Sequence, residues 1–343
     1  MNREITVGLR NIIKRKHLDM ILIKNSASAD PNFFYVTGID MGEFPGACLI
    51  VYPNKMKAIV SLLDAHIAKS HGIPFTLLKR KMKLPVKGRI GINYEFITKV
   101  DFDFIKARKI DISKDLGVLR SVKTKKEITT IKKSCDISSK IMEEIADFIK
   151  PGLRENEIAG KIEQLIIKNN CCSAFHTIVA SGANSANAHH STGNKKIKKG
   201  ELIVVDFGAA YRKYCSDITR TFIIGKPNKK QASIYQTVKE SQQMAFDQLK
   251  AGNDGKIIYE SVKDFLDKKY PKRFIHGLGH GLGLEVHDFP ADIGRTVLKE
   301  NMVFTIEPGI YMPHLGGVRI EDDMLITKNG FKKLTNPDVG FVI

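Results

Sequence analysis

The chain has 343 residues, of which 43% are hydrophobic and 27% charged, so it can bury the core of one large domain or two smaller ones. Its formal net charge is +18, but the lysines are scattered without interleaved aromatic residues, which argues against specific nucleic-acid binding. No run of about 18 apolar residues is present and the first residues lack the apolar core of a signal peptide, so no membrane association is expected. The five cysteines are odd in number and irregularly spaced, which favours reduced thiols in a cytoplasmic protein.

Residues 1–118 alternate short apolar strands with helical patterns, which predicts an N-terminal α/β domain. Strands are predicted at residues 20–23, 47–52, 57–60 and 89–92, and helices at 61–70 and 96–109. The histidines of this region are isolated, and no cluster of catalytic side chains is visible in its sequence. We therefore expect the chemistry to lie in residues 119–343.

From residue 119 onward, pairs of helices are followed by strands, which predicts an α+β domain spanning residues 119–343. Helices are predicted at residues 125–149, 155–168, 231–249 and 256–269, and a strand is predicted at 174–180. A hairpin is predicted after each helix pair, at about 202–222 before the helix at 231–249 and at about 305–323 after the helix at 256–269. This order of helices and strands occurs twice, as an internal duplication would produce.

The first hairpin carries two aspartates within apolar strand sequence. Folding it about the Tyr211–Arg212 midpoint places Asp206 directly opposite Asp217, with Cβ atoms about 4.5–5.5 Å apart. Aspartate is disfavoured in strands, and two carboxylates at that distance repel each other unless a cation lies between them. The alternative is that each is an ordinary aspartate near a turn.

The second hairpin repeats this arrangement with glutamates. Folding it about His314 places Glu307 opposite Glu321. Taken alone, Glu307 is explained by a strand end and Glu321 by a solvated acidic face. The same pattern in both hairpins favours one shared site.

A glycine-rich segment, residues 276–288, lies between the two hairpins and contains His280 between two glycines. Glycine allows a small ligand to approach the backbone closely, whereas its frequency here argues against a helical zinc motif. Four carboxylates and one imidazole form an oxygen-rich site suited to two divalent ions. Mn²⁺ or Co²⁺ fits this set best, with Zn²⁺ and Fe²⁺ as alternatives. His189 and His287 are candidates for substrate contact.

Residues 120–343 resemble the metallopeptidases with the pita-bread fold, a family that includes methionine aminopeptidase, aminopeptidase P and Xaa-Pro dipeptidase (prolidase). The matching motifs are LRSVKTKKEI at 119–128, VDFG at 205–208, SDITRT at 216–221, HGLGHGLGLEVHD at 276–288, IEPGIY at 306–311 and VRIED at 318–322. The resemblance implies the metal ligands Asp206, Asp217, His280, Glu307 and Glu321.

The N-terminal domain narrows the choice of subfamily, because aminopeptidase P, prolidase and creatinase carry such a domain and ordinary methionine aminopeptidases do not. Creatinase lacks the full ligand set, so the presence of all five residues here disfavours creatinase. The sequence NFFYVTG at 32–38 is similar to an N-terminal signature of the family. However, residues 287–290 read HDFP, whereas many prokaryotic prolidases have His-Glu-x-Pro at this place and aminopeptidase P often has His-Asp. The sequence therefore leaves open whether the enzyme is a dipeptidase or an aminopeptidase.

The resemblance implies that the enzyme uses two metal ions to hydrolyse the bond before proline in Xaa-Pro dipeptides, and that it forms a homodimer. Glu307 is then the proton shuttle, His189 and His287 position the substrate carbonyl, and Arg319 orients a ligand carboxylate. The alternatives are an aminopeptidase P that acts on longer Xaa-Pro peptides and a pita-bread protein that binds without catalysis. The partner in both enzymatic readings is a small peptide with proline in its second position.

Overall fold

The structure is a computed structural model that describes residues 3–25, 29–39, 46–79 and 84–343. The chain forms two compact units, Met1–Arg120 and Ser121–Ile343. Among the helices of the described residues, none combines the length and the apolar character needed to cross a membrane.

A mixed sheet of six strands forms the centre of the first unit. Its strands are β1 (Met20–Lys24), β2 (Cys48–Val51), β3 (Met56–Val60), β4 (Phe75–Leu77), β5 (Arg89–Ile92) and β6 (Arg108–Asp111). Their order is β4-β3-β2-β1-β5-β6; the β1–β2 and β2–β3 pairs are antiparallel, and the other neighbours are parallel. The helices are α1 (Arg3–Arg15), α2 (Pro31–Thr37), α3 (Ala65–Ser70), α4 (Lys99–Phe104) and, at the boundary, α5 (Ser113–Ser121). The predicted α/β class of this region is confirmed.

Two helix predictions in this unit need correction. The predicted helix at 96–109 is wrong beyond residue 104, because residues 108–111 leave the helix and pair with β5 as a parallel strand. The predicted helix at 61–70 begins only at Ala65, because the Ser61 hydroxyl and the Asp64 carboxylate form a hydrogen-bonded turn before it. In both places tertiary pairing or turn chemistry outweighs helix propensity.

The second unit contains two helix pairs, each followed by strands. The helices are α6 (Lys125–Phe148), α7 (Glu155–Lys168), α8 (Lys229–Phe246) and α9 (Gly255–Lys269). The strands are β7 (Cys172–Ser173), β8 (Ile178–Ser181), β9 (Leu202–Phe207), β10 (Ala209–Tyr211), β11 (Tyr214–Cys215), β12 (Ile218–Ile223), β13 (Val303–Ile306), β14 (Gly309–Met312), β15 (Gly316–Arg319), β16 (Asp322–Thr327) and β17 (Gly330–Lys333). The four predicted helices are present to within three residues at each end, whereas only residues 178–180 of the predicted strand at 174–180 are extended.

Each helix pair covers one small antiparallel sheet. Helices α6 and α7 share a core with the sheet β12-β9-β8, and this core includes Ile141, Ile162, Val205 and Phe222. Helices α8 and α9 share a core with the sheet β13-β16-β17, and this core includes Val238, Val262, Phe304 and Ile326. The predicted α+β class is confirmed, and the two halves bring their sheets together at the candidate site.

Strand β12 is the element that joins the halves. The Thr221 hydroxyl donates to the Arg319 carbonyl over 2.9 Å and accepts from the Arg319 N–H over 3.0 Å. Two residues away, the Glu321 N–H donates to the Thr219 carbonyl over 3.1 Å. These bonds fix the strand that follows Asp217 against the chain that carries Glu321.

The register of the first hairpin differs from the prediction. Asp206 pairs with Thr219, not with Asp217, because the turn lies at Arg212 and Lys213, two residues that both adopt positive φ. Such a two-residue turn matches the twist of a hairpin but normally selects Asn and Gly. The shift amounts to two residues along one strand, so it does not turn the aspartates to opposite faces.

The register of the second hairpin is the predicted one. Ile306 pairs with Asp322 on one side of the glutamates, and Gly309 pairs with Arg319 on the other. Glu307 and Glu321 therefore face each other in the gap between two ladders.

Candidate metal centre

Two close backbone approaches create the space at which the predicted ligands meet. A Cβ atom on Gly208 would lie 2.0 Å from the Ser216 carbonyl oxygen, so only glycine allows this approach between Asp206 and Asp217. A Cβ atom on Gly279 would lie 1.8 Å from the Thr305 carbonyl oxygen. Gly208 lets the two strands of the first hairpin approach each other, and Gly279 lets the glycine-rich segment approach β13, with no side chain between them.

Asp217, His280 and Glu321 form the tightest group of predicted ligands. One ligand atom from each lies within 4.8 Å of the other two, and all three residues are buried. Glu307 lies beside this group. Its Oε1 lies 3.6 Å from His280 Nε2, and Asp217 Oδ2 lies 3.6 Å from the same nitrogen. Asp206 lies outside the three-residue group but is also buried.

The imidazole of His280 presents Nε2 to these carboxylates. Its Nδ1 lies 3.2 Å from the Gly281 carbonyl, so Nδ1 carries the proton and Nε2 keeps its lone pair. Burial, followed by the nearby His287, lowers the pKa of His280 to about 3. A neutral imidazole with a lone pair directed at carboxylates is suited to metal ligation.

The carboxylates repel one another. Burial raises the pKa of Asp217 and of Glu321 well above their ordinary values, and the neighbouring acidic charges raise both further. Burial also raises the pKa of Glu307 to about 7, although Arg319 opposes this shift. Among the described residues, Asp206 Oδ1 and Asp217 Oδ1 are buried without a hydrogen-bond partner. Both oxygens lie in a group of mutually repelling carboxylates, where a cation would compensate the charge, so the residues fit a metal centre.

We expect the contribution of Glu307 to the stability of the metal-free protein to fall as the pH rises from about 4.5 to about 7. Glu307 has an ordinary pKa of 4.5 and a folded-state pKa of about 7, so its carboxyl binds more protons in the folded chain in this range and deprotonation disfavours folding. His276 and His280 have lowered pKa values and act in the opposite direction, so the effect of Glu307 is isolated by comparing the unmodified chain with Glu307→Gln. Thermal unfolding of both at several pH values, with chelator, should show a difference in stability that grows with pH. A difference that does not change with pH would contradict this prediction.

Arg319 connects the predicted ligands to their surroundings. Its Nη2 donates to Asp206 Oδ2 over 2.5 Å, its Nη1 donates to the Tyr311 hydroxyl over 2.8 Å, and its Nε donates to the Thr219 hydroxyl over 3.1 Å. The Thr219 hydroxyl in turn donates to Glu321 Oε2 over 2.6 Å. One buried guanidinium therefore orients Asp206 directly and Glu321 through Thr219.

The two histidines predicted to contact substrate are both exposed. The ring centre of His287 lies 4.1 Å from that of His280. Partial desolvation, followed by the charge of His189, lowers the pKa of His287. His189 is exposed and lines a cavity of about 550 Å³ together with Thr177 and Ile178, and none of the five predicted ligands lines that cavity.

Three contributors to the centre were missed by the sequence reasoning. His276 Nε2 lies 2.9 Å from the Tyr311 hydroxyl, so Tyr311 joins His276 to Arg319. Burial lowers the pKa of His276 to about 4. Thr219 was also missed, although its spacing of two residues from Asp217 is a signal that both lie on one strand face.

The comparisons with known proteins agree with this geometry. Residues 129–328 match the model of metallopeptidase family M24. The Xaa-Pro dipeptidase of Pyrococcus furiosus is 39% identical over 323 residues, which are 90% of this chain and 91% of that protein.

Solved structures extend the likeness to the whole chain. The prolidase from Pyrococcus horikoshii OT3 superposes with a TM-score of 0.91 at 34% identity, covering 99% of this chain and 100% of that one. The X-Pro aminopeptidase from Thermotoga maritima superposes with a TM-score of 0.87 at 33% identity, covering 96% and 99%. The chain belongs to metallopeptidase family M24, and its second unit has the pita-bread fold of that family.

Proposed function

We propose that this protein is a metal-dependent Xaa-Pro dipeptidase that hydrolyses the peptide bond before proline. The observation that carries the proposal is the buried group of Asp217, His280 and Glu321 in a chain that aligns over nine tenths of its length with a Xaa-Pro dipeptidase. The fold alone does not distinguish a dipeptidase from an aminopeptidase, because an X-Pro aminopeptidase shares it. A second dipeptidase, from Pyrococcus horikoshii, aligns over 95% of this chain and supports the dipeptidase reading.

Membership in family M24 implies a centre of two divalent ions. In our proposal Asp206, Asp217, His280, Glu307 and Glu321 hold these ions, and Mn²⁺ or Co²⁺ fits four carboxylates and one imidazole best. When bound, such a pair of ions acidifies a water molecule and polarises a carbonyl group. We further propose that the protein acts in the cytoplasm as a homodimer.

The proposed roles of the side chains follow from their environments. Glu307 Oε1 lies 3.6 Å from His280 Nε2, so in our proposal its carboxylate accepts a proton from water at the centre and gives it to the leaving proline nitrogen. His287, whose ring centre lies 4.1 Å from that of His280, can donate its ring N–H to the oxyanion. His189, which is exposed, positions the carbonyl of the incoming peptide. Arg319 holds Asp206 in place.

Substrate length provides the test of this function. Metal-stripped protein should regain activity with Mn²⁺ or Co²⁺ and cleave Ala-Pro, with little cleavage of Ala-Pro-Ala. Ala-Ala serves as the matched control for the requirement for proline. Efficient cleavage of the tripeptide would establish an aminopeptidase P instead, and no cleavage of any peptide with metal bound would favour a binding protein.

A further inference from the structure

Asp323 is a fully buried carboxylate that takes no part in the proposed mechanism. Its Oδ2 accepts the backbone N–H of Asp217 over 2.9 Å. The thiol of Cys135, on α6, donates to the same oxygen over 3.3 Å. Asp323 Oδ1 is buried and has no hydrogen-bond partner among the described residues. The side chain therefore joins helix α6 to the backbone of a predicted metal ligand.

Asp217 needs such a contact because of its place in the chain. Strand β11 ends at Cys215 and β12 begins at Ile218, so Asp217 lies in the break between two ladders. At this break the sheet register supplies no partner for its N–H, and the side chain of Asp323 takes the place of a strand carbonyl.

The strand residue that pairs with Asp323 also binds the backbone of His280. Asp323 pairs with Thr305 in the β13–β16 ladder. The Thr305 hydroxyl accepts the His280 N–H over 3.0 Å, and the Thr305 N–H donates to the His280 carbonyl over 2.9 Å. The paired residues Asp323 and Thr305 therefore fix the backbones of two predicted ligands, Asp217 and His280, which lie in different parts of the chain.

An ordinary structural role does not account for this carboxylate. The cluster around Cys135 is apolar and includes Ile131, Leu282 and Val303. Asp323 is fully buried, and a carboxylate is costly at such a position. An apolar residue of similar volume would fill the same space at no such cost. The carboxylate is explained by the need for an acceptor at the Asp217 N–H.

We propose that Asp323 is a positioning residue for the metal centre, which holds the Asp217 backbone and thereby sets the spacing of Asp217 and His280. Cys135 holds the Asp323 carboxylate in the orientation that this requires. The proposal rests on the metal centre proposed above and concerns its assembly. It assigns no chemical step to either residue.

The test compares Asp323→Leu, which removes the acceptor at similar volume, with Asp323→Asn, whose amide oxygen can accept the same N–H. Co²⁺ is titrated into the metal-stripped full-length chain and followed by visible absorption and calorimetry. Asp323→Leu should weaken the binding of at least one ion by about tenfold and change the absorption spectrum, whereas Asp323→Asn should stay within about threefold of the unmodified chain. Unchanged binding in the leucine variant, or equal damage in both variants, would overturn the proposal.

A second pair of variants decides the question if Asp323→Leu does not fold. Cys135→Ala removes the thiol donor, and Ser139→Ala is its matched control, because Ser139 lies on the same helix and accepts the Asn336 N–H over 3.0 Å, away from Asp217. Cys135→Ala should weaken Co²⁺ binding by about two- to fivefold and change its spectrum, and Ser139→Ala should not. Identical Co²⁺ binding in these two variants would refute the inference.

The two proposals fail in different ways. If the unmodified chain binds two ions and cleaves Ala-Pro, and Asp323→Leu binds Co²⁺ equally well, only the positioning role fails. If the unmodified chain binds no Co²⁺, the metal centre fails and the positioning role fails with it.

Discussion

Replacement of Asp217 by asparagine should lower kcat/KM for Ala-Pro by about 10³ or more while making the metal-free protein more stable. A metal centre supplies several kcal/mol of transition-state stabilisation, and about 4 kcal/mol corresponds to this factor. Asp217 is central to that centre, because its Oδ2 lies 3.6 Å from His280 Nε2 and its Oδ1 is buried without a partner among the described residues.

The gain in stability comes from the same charge. The pKa of Asp217 is raised well above its ordinary value by burial and by the charges of Glu321 and Asp206, so its carboxylate disfavours the folded metal-free chain at neutral pH. Asparagine keeps the shape and the backbone N–H bond to Asp323 but removes the charge.

Activity at saturating Mn²⁺ and thermal unfolding with chelator measure the two effects. Asp264→Asn is the control, because Asp264 is an exposed aspartate on α9, and it should change neither. Activity of Asp217→Asn within tenfold of the unmodified chain would rule out Asp217 as a ligand.

The sequence names five candidate ligands, whose roles stay a prediction, and it predicts the register of only one of the two hairpins that carry four of them. The register of the second hairpin was predictable, because a turn centred on His314 leaves strand-like sequence on both sides, and His314 does adopt positive φ. The register of the first hairpin was predicted two residues away, because its turn consists of Arg212 and Lys213, which carry no sequence signal for positive φ.

The long-range hydrogen bonds that hold the predicted ligands in place could not be predicted from the sequence. Arg319 and Asp206 are 113 residues apart, Asp323 and Asp217 are 106 apart, and Cys135 and Asp323 are 188 apart. Local periodicity carries no information about such pairs, because they exist only once both halves of the second unit have packed. The role of Arg319 in orienting a ligand carboxylate stays a prediction, whereas its contact with Asp206 is visible only in the fold.

The Arg319–Asp206 pair leads to the other prediction with a large effect. Arg319→Met should lower the free energy of unfolding of the metal-free chain by about 3–5 kcal/mol, because it leaves a buried carboxylate without its cation. Both side chains are at least 90% buried, so solvent cannot replace the lost partner. Tyr311→Phe, which removes one hydroxyl from the same guanidinium, should cost only about 1–1.5 kcal/mol.

A double-mutant cycle separates the buried charge from simple loss of packing. If the destabilisation comes from the unpaired Asp206 carboxylate, adding Asp206→Asn to Arg319→Met should recover part of the lost free energy, as measured by urea unfolding. If it comes from packing, the two changes should add. Mn²⁺ should also narrow the difference between Arg319→Met and the unmodified chain, because a bound cation compensates the same carboxylate. A difference that metal does not change would mean that Arg319 supports the fold and not the ligand.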